Sequence, residues 1–413
     1  MSVRKLTTVV YMLAWGVLTA WAQQPGLPPL LPRDREIALA LSAAPSHISE
    51  QASIYVLERN GYVQIREGSN GFACLVVRDH PQDLAAICHD PEGTRSVVPR
   101  LLREAELRAK GKSEQQVRQE INEGLRTGRY RLPQRVGVAY MLSPESRGFV
   151  PELGHAVPLK PHVMLYAPYL RNEDIGAQAP KPEDFPDFPF VIKEGEFNAY
   201  IVMPVPGSDQ PVPPVKPDPL FDDLKSASLE QPLPLLPRER EIGLALSAAP
   251  RYVAEKAAVL VLDRSGYVKV RDGTNGFTCL VERDHPQSLY PFCYDAEGSA
   301  TLLPVSLRMA ELRMQGKTKA EIDRDIAEGY RSGKFRAPRR PGIAYMFSSE
   351  GRFPDPTSER VTGWAPHAMF YAPYLRRDEI GAPEQGNMVL RLPTVANEGR
   401  PDAYIVVALR RTE

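Results

Sequence analysis

The sequence predicts an α+β fold: two tandem copies of one domain, each a mainly antiparallel sheet covered by helices. Three observations carry this reading. The chain repeats itself at a fixed offset. Short β-type apolar runs are broken by a pair of amphipathic helical stretches. The cysteines fall at the same places in both copies. Leu31-Pro32-Arg33-Asp34-Arg35-Glu36-Ile37 returns as Leu236-Pro237-Arg238-Glu239-Arg240-Glu241-Ile242, an offset of 205 that holds without a gap through Ala177 and Ala382. About half of these positions are identical. Such a period is far longer than that of a solenoid repeat and fits one domain per copy. The predicted organisation is a signal peptide over 1–22, a first repeat domain over 30–203, a Pro-rich linker over 204–234 and a second repeat domain over 235–413.

Each element has its own signal. Arg4 and Lys5, the apolar run Leu6 to Leu18 and Ala20-Trp21-Ala22 form the three parts of a secretory signal peptide, with cleavage expected after Ala22. Gln23 follows, so a lipid-anchored cysteine is not expected there. The first helix is expected near Arg33 to Ala44, with Ile37, Ala40, Leu41 and Ala44 on one face and Pro45 ending it. Ile54 to Leu57 and Tyr62 to Ile65 read as strands around the hairpin signal Asn60-Gly61. A third strand, Gly71 to Val77, places Phe72, Cys74 and Val76 on one face. Val98, Leu102, Ala105 and Ala109 form a helical stripe closed by Gly111. The next helix starts at Ser113, carries Val117, Ile121 and Leu125, and ends at Gly128. In the second copy Thr318 stands three residues before Glu321, the capping-box spacing. Strands resume at Gly137 to Leu142, Val163 to Ala167 and Ala199 to Met203. The proline-dense segment that follows favours a semi-rigid extended spacer.

Composition excludes some functions. Among 413 residues, 51 are Lys or Arg and 51 are Asp or Glu. A nucleic-acid partner is not expected without a positive excess. No segment of the mature chain is apolar enough to span a bilayer. The expectation is a nearly neutral exported protein, periplasmic or secreted.

Four cysteines allow three pairings. Cys74 with Cys88 and Cys279 with Cys293 is the pairing compatible with two independently folding units, each bridge tying the third strand to the loop behind it. The spacing does not resemble a redox C-x-x-C or a zinc site, so no metal is expected.

Candidate chemistry is sparse. Only His80 with His285 and His162 with His367 recur in both copies; His47, His89 and His155 face Tyr252, Tyr294 and Arg360. Arg78-Asp79-His80-Pro81 reads either as an acid–base pair or, preferably, as a charged strand end turning at proline. His162, Met164 and Tyr166 share a strand face, as do His367, Met369 and Tyr371. Tyr166 and Tyr371 are therefore the candidate ligand-binding residues, and the four histidines the candidate catalytic ones. No nucleophile elbow, zincin motif, phosphate loop or dinucleotide fingerprint is present.

Asn70-Gly71-Phe72-Ala73-Cys74-Leu75-Val76, Asn275-Gly276-Phe277-Thr278-Cys279-Leu280-Val281 and Cys293-Tyr294-Asp295-Ala296-Glu297-Gly298 resemble segments of uncharacterised exported bacterial proteins carrying a single copy of this unit. The resemblance spans each copy from its first helix to its histidine-containing strand. It implies a shared fold and export, and it brings no activity, cofactor or site residue. The first copy departs from it at His89 and Pro91. The expected function is a tandem binding module without catalysis, for a small ligand or an envelope protein, its avidity raised by duplication on a stiff linker. The alternative is an exported hydrolase using His162/His367 or His80/His285, with or without a metal.

Overall fold

A computed structural model describes residues 28–181, 185–205, 233–354, 361–383 and 392–409. The segment read as a signal peptide and nearly all of the Pro-rich segment over 204–234 lie outside the described residues.

In the first unit α1 (Arg33–Leu41) is followed by a one-turn α2 (Ser46–Ser49). The first helix stops short of Ala44 because Ser42 turns back, its hydroxyl donating to the Leu39 carbonyl at 2.7 Å and meeting Ser143 at 2.8 Å. The hairpin follows as β1 (Ser53–Glu58) and β2 (Gly61–Arg66). Then come β3 (Ala73–Val77) and β4 (Ala85–His89). Three helices follow: α3 (Pro91–Ser96), α4 (Val98–Ala109) and α5 (Glu114–Arg126). Both copies carry a capping box at the last of these, from Ser113 and Gln116 and from Thr318 and Glu321. The chain ends in β5 (Val138–Met141), a ribbon of β6 (Arg147–Val150) with β7 (His155–Pro158), then β8 (His162–Tyr166), β9 (Phe190–Ile192) and β10 (Tyr200–Pro204).

The strands form an eight-stranded sheet in the order β2-β1-β3-β4-β5-β8-β10-β9, and the second unit repeats that order strand for strand. Every pair is antiparallel except β1 with β3. The central strands β5, β8 and β10 are buried along their whole length, which is why they read as continuous apolar runs rather than alternations. One face, with Leu75, Ile87, Met164 and Tyr166, packs with Val97 at the foot of α4 and, half-buried, Leu101 within it. The other carries Phe72, Cys74, Val138 and Leu165 beneath α1.

Both bridges join the paired cysteines expected, but they join strand to strand. Cys74 lies directly opposite Cys88 in β4, and Cys279 opposite Cys293. Cys88, expected in a loop, lies within a strand. Its neighbours Ala85-Ala86 carry little strand propensity, so β4 is imposed by its partners on either side. Each bridge spans a sequence separation of 14, a loop whose closure stabilises by about 3 kcal/mol. A Cys74→Ala, Cys88→Ala variant is expected to lose about that much unfolding free energy in a urea titration. An unchanged midpoint would count against the bridge as a stabilising element.

The two units are not beads on a linker. The apolar face under α1 is one cluster with its counterpart in the second unit, so Phe72, Val138 and Leu165 share a core with Phe277, Ile343 and Phe370. The contacts across this seam are reciprocal. The Tyr140 hydroxyl donates to the Ile380 carbonyl at 2.6 Å, and the Tyr345 hydroxyl to the Ile175 carbonyl at 2.6 Å. Arg135 pairs with Glu379, and Arg340 lies 3.8 Å from Asp174. Shifting one partner forward and the other back by the repeat offset turns each contact into its mate, the signature of an isologous two-fold interface within one chain.

Candidate binding site

β8 leads into Ala167-Pro168-Tyr169-Leu170. The Leu170 amide donates to the Ala167 carbonyl at 3.0 Å, closing a β-turn. Proline at the second position and a positive φ at the third are the type II pattern, whose third position ordinarily needs glycine. Tyrosine occupies it in both copies: Tyr169 and Tyr374 each sit at φ +63°. They are also exposed, at 56% and 58%. The turn is pinned from the β9–β10 hairpin, where Tyr169 N–H donates to the Glu196 carbonyl at 2.8 Å and Gly195 N–H to the Leu170 carbonyl at 2.9 Å. A bulky residue held in this region is backbone strain of about 1–3 kcal/mol.

Tyr169 forms one wall of a cleft of about 580 Å³. Arg118, Asn122, Leu125 and Arg126 reach it from one face of α5, because their spacing puts them on adjacent turns. Tyr130, Leu132 and Phe197 complete its apolar lining, and Glu196 adds an acceptor at the turn. Gly124 sits inside α5 because a Cβ there would stand 2.3 Å from the Tyr130 ring. Arg100, buried beneath, holds its guanidinium 5.1 Å from the Phe197 ring centroid.

A second cleft of about 290 Å³ shares Tyr130 and Leu132 with the first and continues towards Arg95, Arg129 and Arg131. Arg95 is paired with Glu92 at 3.1 Å, and Arg129 lies 3.9 Å from Glu120. The Arg118 and Arg131 side chains make no hydrogen bond or ion pair among the described residues.

The residues singled out from sequence lie elsewhere. His162 and His367 are buried, at 3% and 5% exposure. Their Nδ1 atoms donate to the Lys160 and Ala365 carbonyls at 2.7 and 2.8 Å. Burial pulls both down to about 4, so they are neutral core groups. Tyr166 and Tyr371 are 1% exposed. Their hydroxyls donate to the Val138 and Ile343 carbonyls at 3.3 and 2.6 Å. His80 stacks on Phe149 with centroids 3.6 Å apart, and its Nδ1 accepts the Gln82 amide at 3.2 Å. His285 accepts the Gln287 amide in the same way, at 3.1 Å. Asp79 turns to Arg108 at 2.9 Å rather than to His80. Among the described residues no group of three or more His, Cys, Asp or Glu side chains is placed to hold a metal ion. A His162→Ala, His367→Ala variant is therefore expected to lower the melting temperature through two core cavities, measured by calorimetry; an unshifted transition would contradict their burial.

Other buried acids shape the pH response. Asp90 caps α3, accepting Gly93 N–H at 2.8 Å and Val138 N–H at 2.7 Å. Burial pushes its carboxyl up to about 7, against the pull of those amides. Asp295 repeats the arrangement and is likewise pushed up to about 7. Glu241, buried and accepting Leu262 N–H at 2.7 Å, is also raised by burial to about 7. Unfolded carboxyls ionise near pH ~4. The native state therefore holds protons that the unfolded chain has released. That stabilisation is complete below about pH 4 and is lost as pH rises through 7. His162, His367 and buried His89 (pulled down to about 3) work in the opposite sense. Their contribution is complete above about pH 6.5 and is lost as pH falls through their folded values. The two sets oppose each other below pH ~6.5, and above it the carboxyls act alone. Stability is expected to fall by about 1–2 kcal/mol from pH 6 to pH 8, measured by chemical denaturation at each pH. A rise over that interval would overturn the assignment.

The second unit keeps Tyr374 but changes its surroundings. Its pinning carbonyl belongs to Arg400 instead of Glu196. Asp323, Phe335 and Pro401 stand where the first unit has Arg118, Tyr130 and Phe197. The signal for the site was present in the sequence as Ala-Pro-Tyr-Leu-Arg, identical in both copies at 167–171 and 372–376. Compared with known protein families, curated proteins and solved structures, this chain matches none.

Proposed function

We propose that this chain is an exported, non-catalytic binding protein whose recognition site is the aromatic cleft at Tyr169. One observation carries the reading. A glycine position is filled by tyrosine in both units, at a cost in backbone energy and with over half of each side chain left in solvent. Intramolecular packing does not account for that choice, and contact with a ligand does. Concave shape, three aromatic rings and a few convergent polar groups are the features of a small-ligand site. Two disulfides support export, because such bridges persist in oxidising compartments. The hydrolase alternative has less support, since His162 and His367 are buried against backbone carbonyls.

Ligand-observed NMR with a fragment library of monosaccharides, aromatic acids and dipeptides tests the proposal. Wild type is expected to bind a subset of fragments, and Tyr169→Ala to lose that subset. No binding at all, or binding indifferent to Tyr169, would overturn it.

A further inference from the structure

Resting on that reading, we propose that the two adjoining clefts form one groove for an acidic polysaccharide, a sugar ring seated at Tyr169 and successive carboxylates held at Arg118 and at Arg131. The chemistry of the lining argues for it. The larger cleft offers flat aromatic faces with Asn122, Arg118 and Glu196 at its rim, so donors and acceptors surround an apolar floor. A pyranose has that complementary form: a C–H face and a rim of hydroxyls that both donate and accept. Tyr130 and Leu132 line both clefts, so the two adjoin and a ligand longer than one ring could reach from one to the other. Arg118 and Arg131, one at each cleft, have no acidic partner among the described residues. A guanidinium without a partner beside a cleft is a carboxylate receptor in waiting.

Charge density selects among anions. Arg95, Arg126 and Arg129 already have acidic partners, and Glu92 and Glu196 add negative charge to the lining, so a polymer with a charge on every unit finds receptors for only a few of its charges. The whole chain carries equal numbers of basic and acidic residues, 51 of each, which disfavours nucleic acid and polyphosphate. A polymer with carboxylates separated by neutral rings meets both arginines without crowding either glutamate.

Affinity electrophoresis and calorimetry on the full mature chain test this with four probes: hyaluronate, whose carboxylates fall on alternate rings, neutral dextran, poly-glutamate and heparin. Hyaluronate is expected to bind, weakening with salt, at least tenfold more tightly than dextran. Poly-glutamate and heparin are expected to bind more weakly than hyaluronate. Arg118→Ala with Arg131→Ala is expected to lose at least tenfold for hyaluronate and several-fold less than that for dextran, which loses one rim donor but no charge pairing. Tyr169→Ala is expected to lose both. Equal binding of dextran and hyaluronate, or an arginine pair without effect, overturns the acidic-polysaccharide assignment and leaves the Tyr169 site standing. Equal or tighter binding of poly-glutamate or heparin overturns it in favour of a general anion surface. If no polysaccharide binds while Tyr169-dependent fragments do, the inference fails alone. If Tyr169→Ala changes nothing for any probe or fragment, both readings fail.

Discussion

Gly176→Ala and Gly381→Ala, made together, are expected to bring the protein close to unfolding at ambient temperature. Each glycine follows a single 3-10 turn, Asn172–Ile175 or Asp378–Ile380, and takes a left-handed conformation at φ +61° or +63°. Each also lies in the seam. A Cβ on Gly176 would stand 2.8 Å from Val253 and 3.0 Å from Phe277, and one on Gly381 2.5 Å from Ile48. Alanine in the left-handed region costs about 1–2 kcal/mol. Overpacking a filled core adds about 1–3 kcal/mol. The two sites together approach the ~5–15 kcal/mol by which domains are stable. Gly128→Ala is the control, since Gly128 has φ +76° and a Cβ there would meet nothing within 4 Å. It carries the backbone cost alone, about 1–2 kcal/mol. Urea titrations of all three variants separate the terms. If Gly381→Ala costs no more than Gly128→Ala, the units do not pack as described. Wild type is also expected to unfold in one transition, because a shared core couples the halves; two separated transitions would indicate units that stand alone.

Much of this architecture was legible in the chain. The fixed offset implied two like units, and the stripes at Val98 to Ala109 and Val117 to Leu125 located the central helices. Alternation puts Phe72, Cys74 and Val76 on one face, and they lie together in one core cluster. What covers that face was not legible. Alternation says that a face is apolar, and it does not say whether a helix, a second sheet or both lie against it. The seam therefore emerged only with the fold, and with it the stiff-linker picture of avidity loses its basis. Any joint action of Tyr169 and Tyr374 depends on their placement on one body. The burial of His162 and Tyr166 was not legible for a related reason. Period-two spacing put His162, Met164 and Tyr166 on a common face, which is correct, but β8 is central and that face is dry. Tyr169, three residues on, leaves the sheet and reaches water. Pro168 marked the turn; the positive φ that makes a tyrosine there unusual is a property of the folded backbone, invisible in composition.

Tyr169→Gly is expected to abolish binding while leaving the fold intact, an outcome that separates a ligand contact from a structural residue. Glycine is the natural occupant of the third position of a type II turn, so the substitution relieves strain of about 1–3 kcal/mol. Glycine also adds freedom to the unfolded chain, which offsets about 0.5–1 kcal/mol of that gain. The Tyr169 side chain is 56% exposed, so little packing is lost. Net stability should lie within about 1 kcal/mol of wild type, or slightly above it. Affinity for hyaluronate, or for the fragments bound by wild type, should fall at least tenfold, about 1.4 kcal/mol. Tyr169→Phe should retain most of that affinity, since the ring face and not the hydroxyl supplies the platform. Tyr166→Phe makes the opposite case. Its hydroxyl is buried between the Val138 carbonyl and His89 Nδ1, at 3.3 and 3.1 Å, and removing it should cost about 1–3 kcal/mol of stability without touching affinity. Thermal melts and calorimetric titrations on the same three variants give both readouts. A Tyr169→Gly protein that binds as wild type does would mean that the strained tyrosines serve something other than recognition. One that unfolds would mean that the ring belongs to the structure after all.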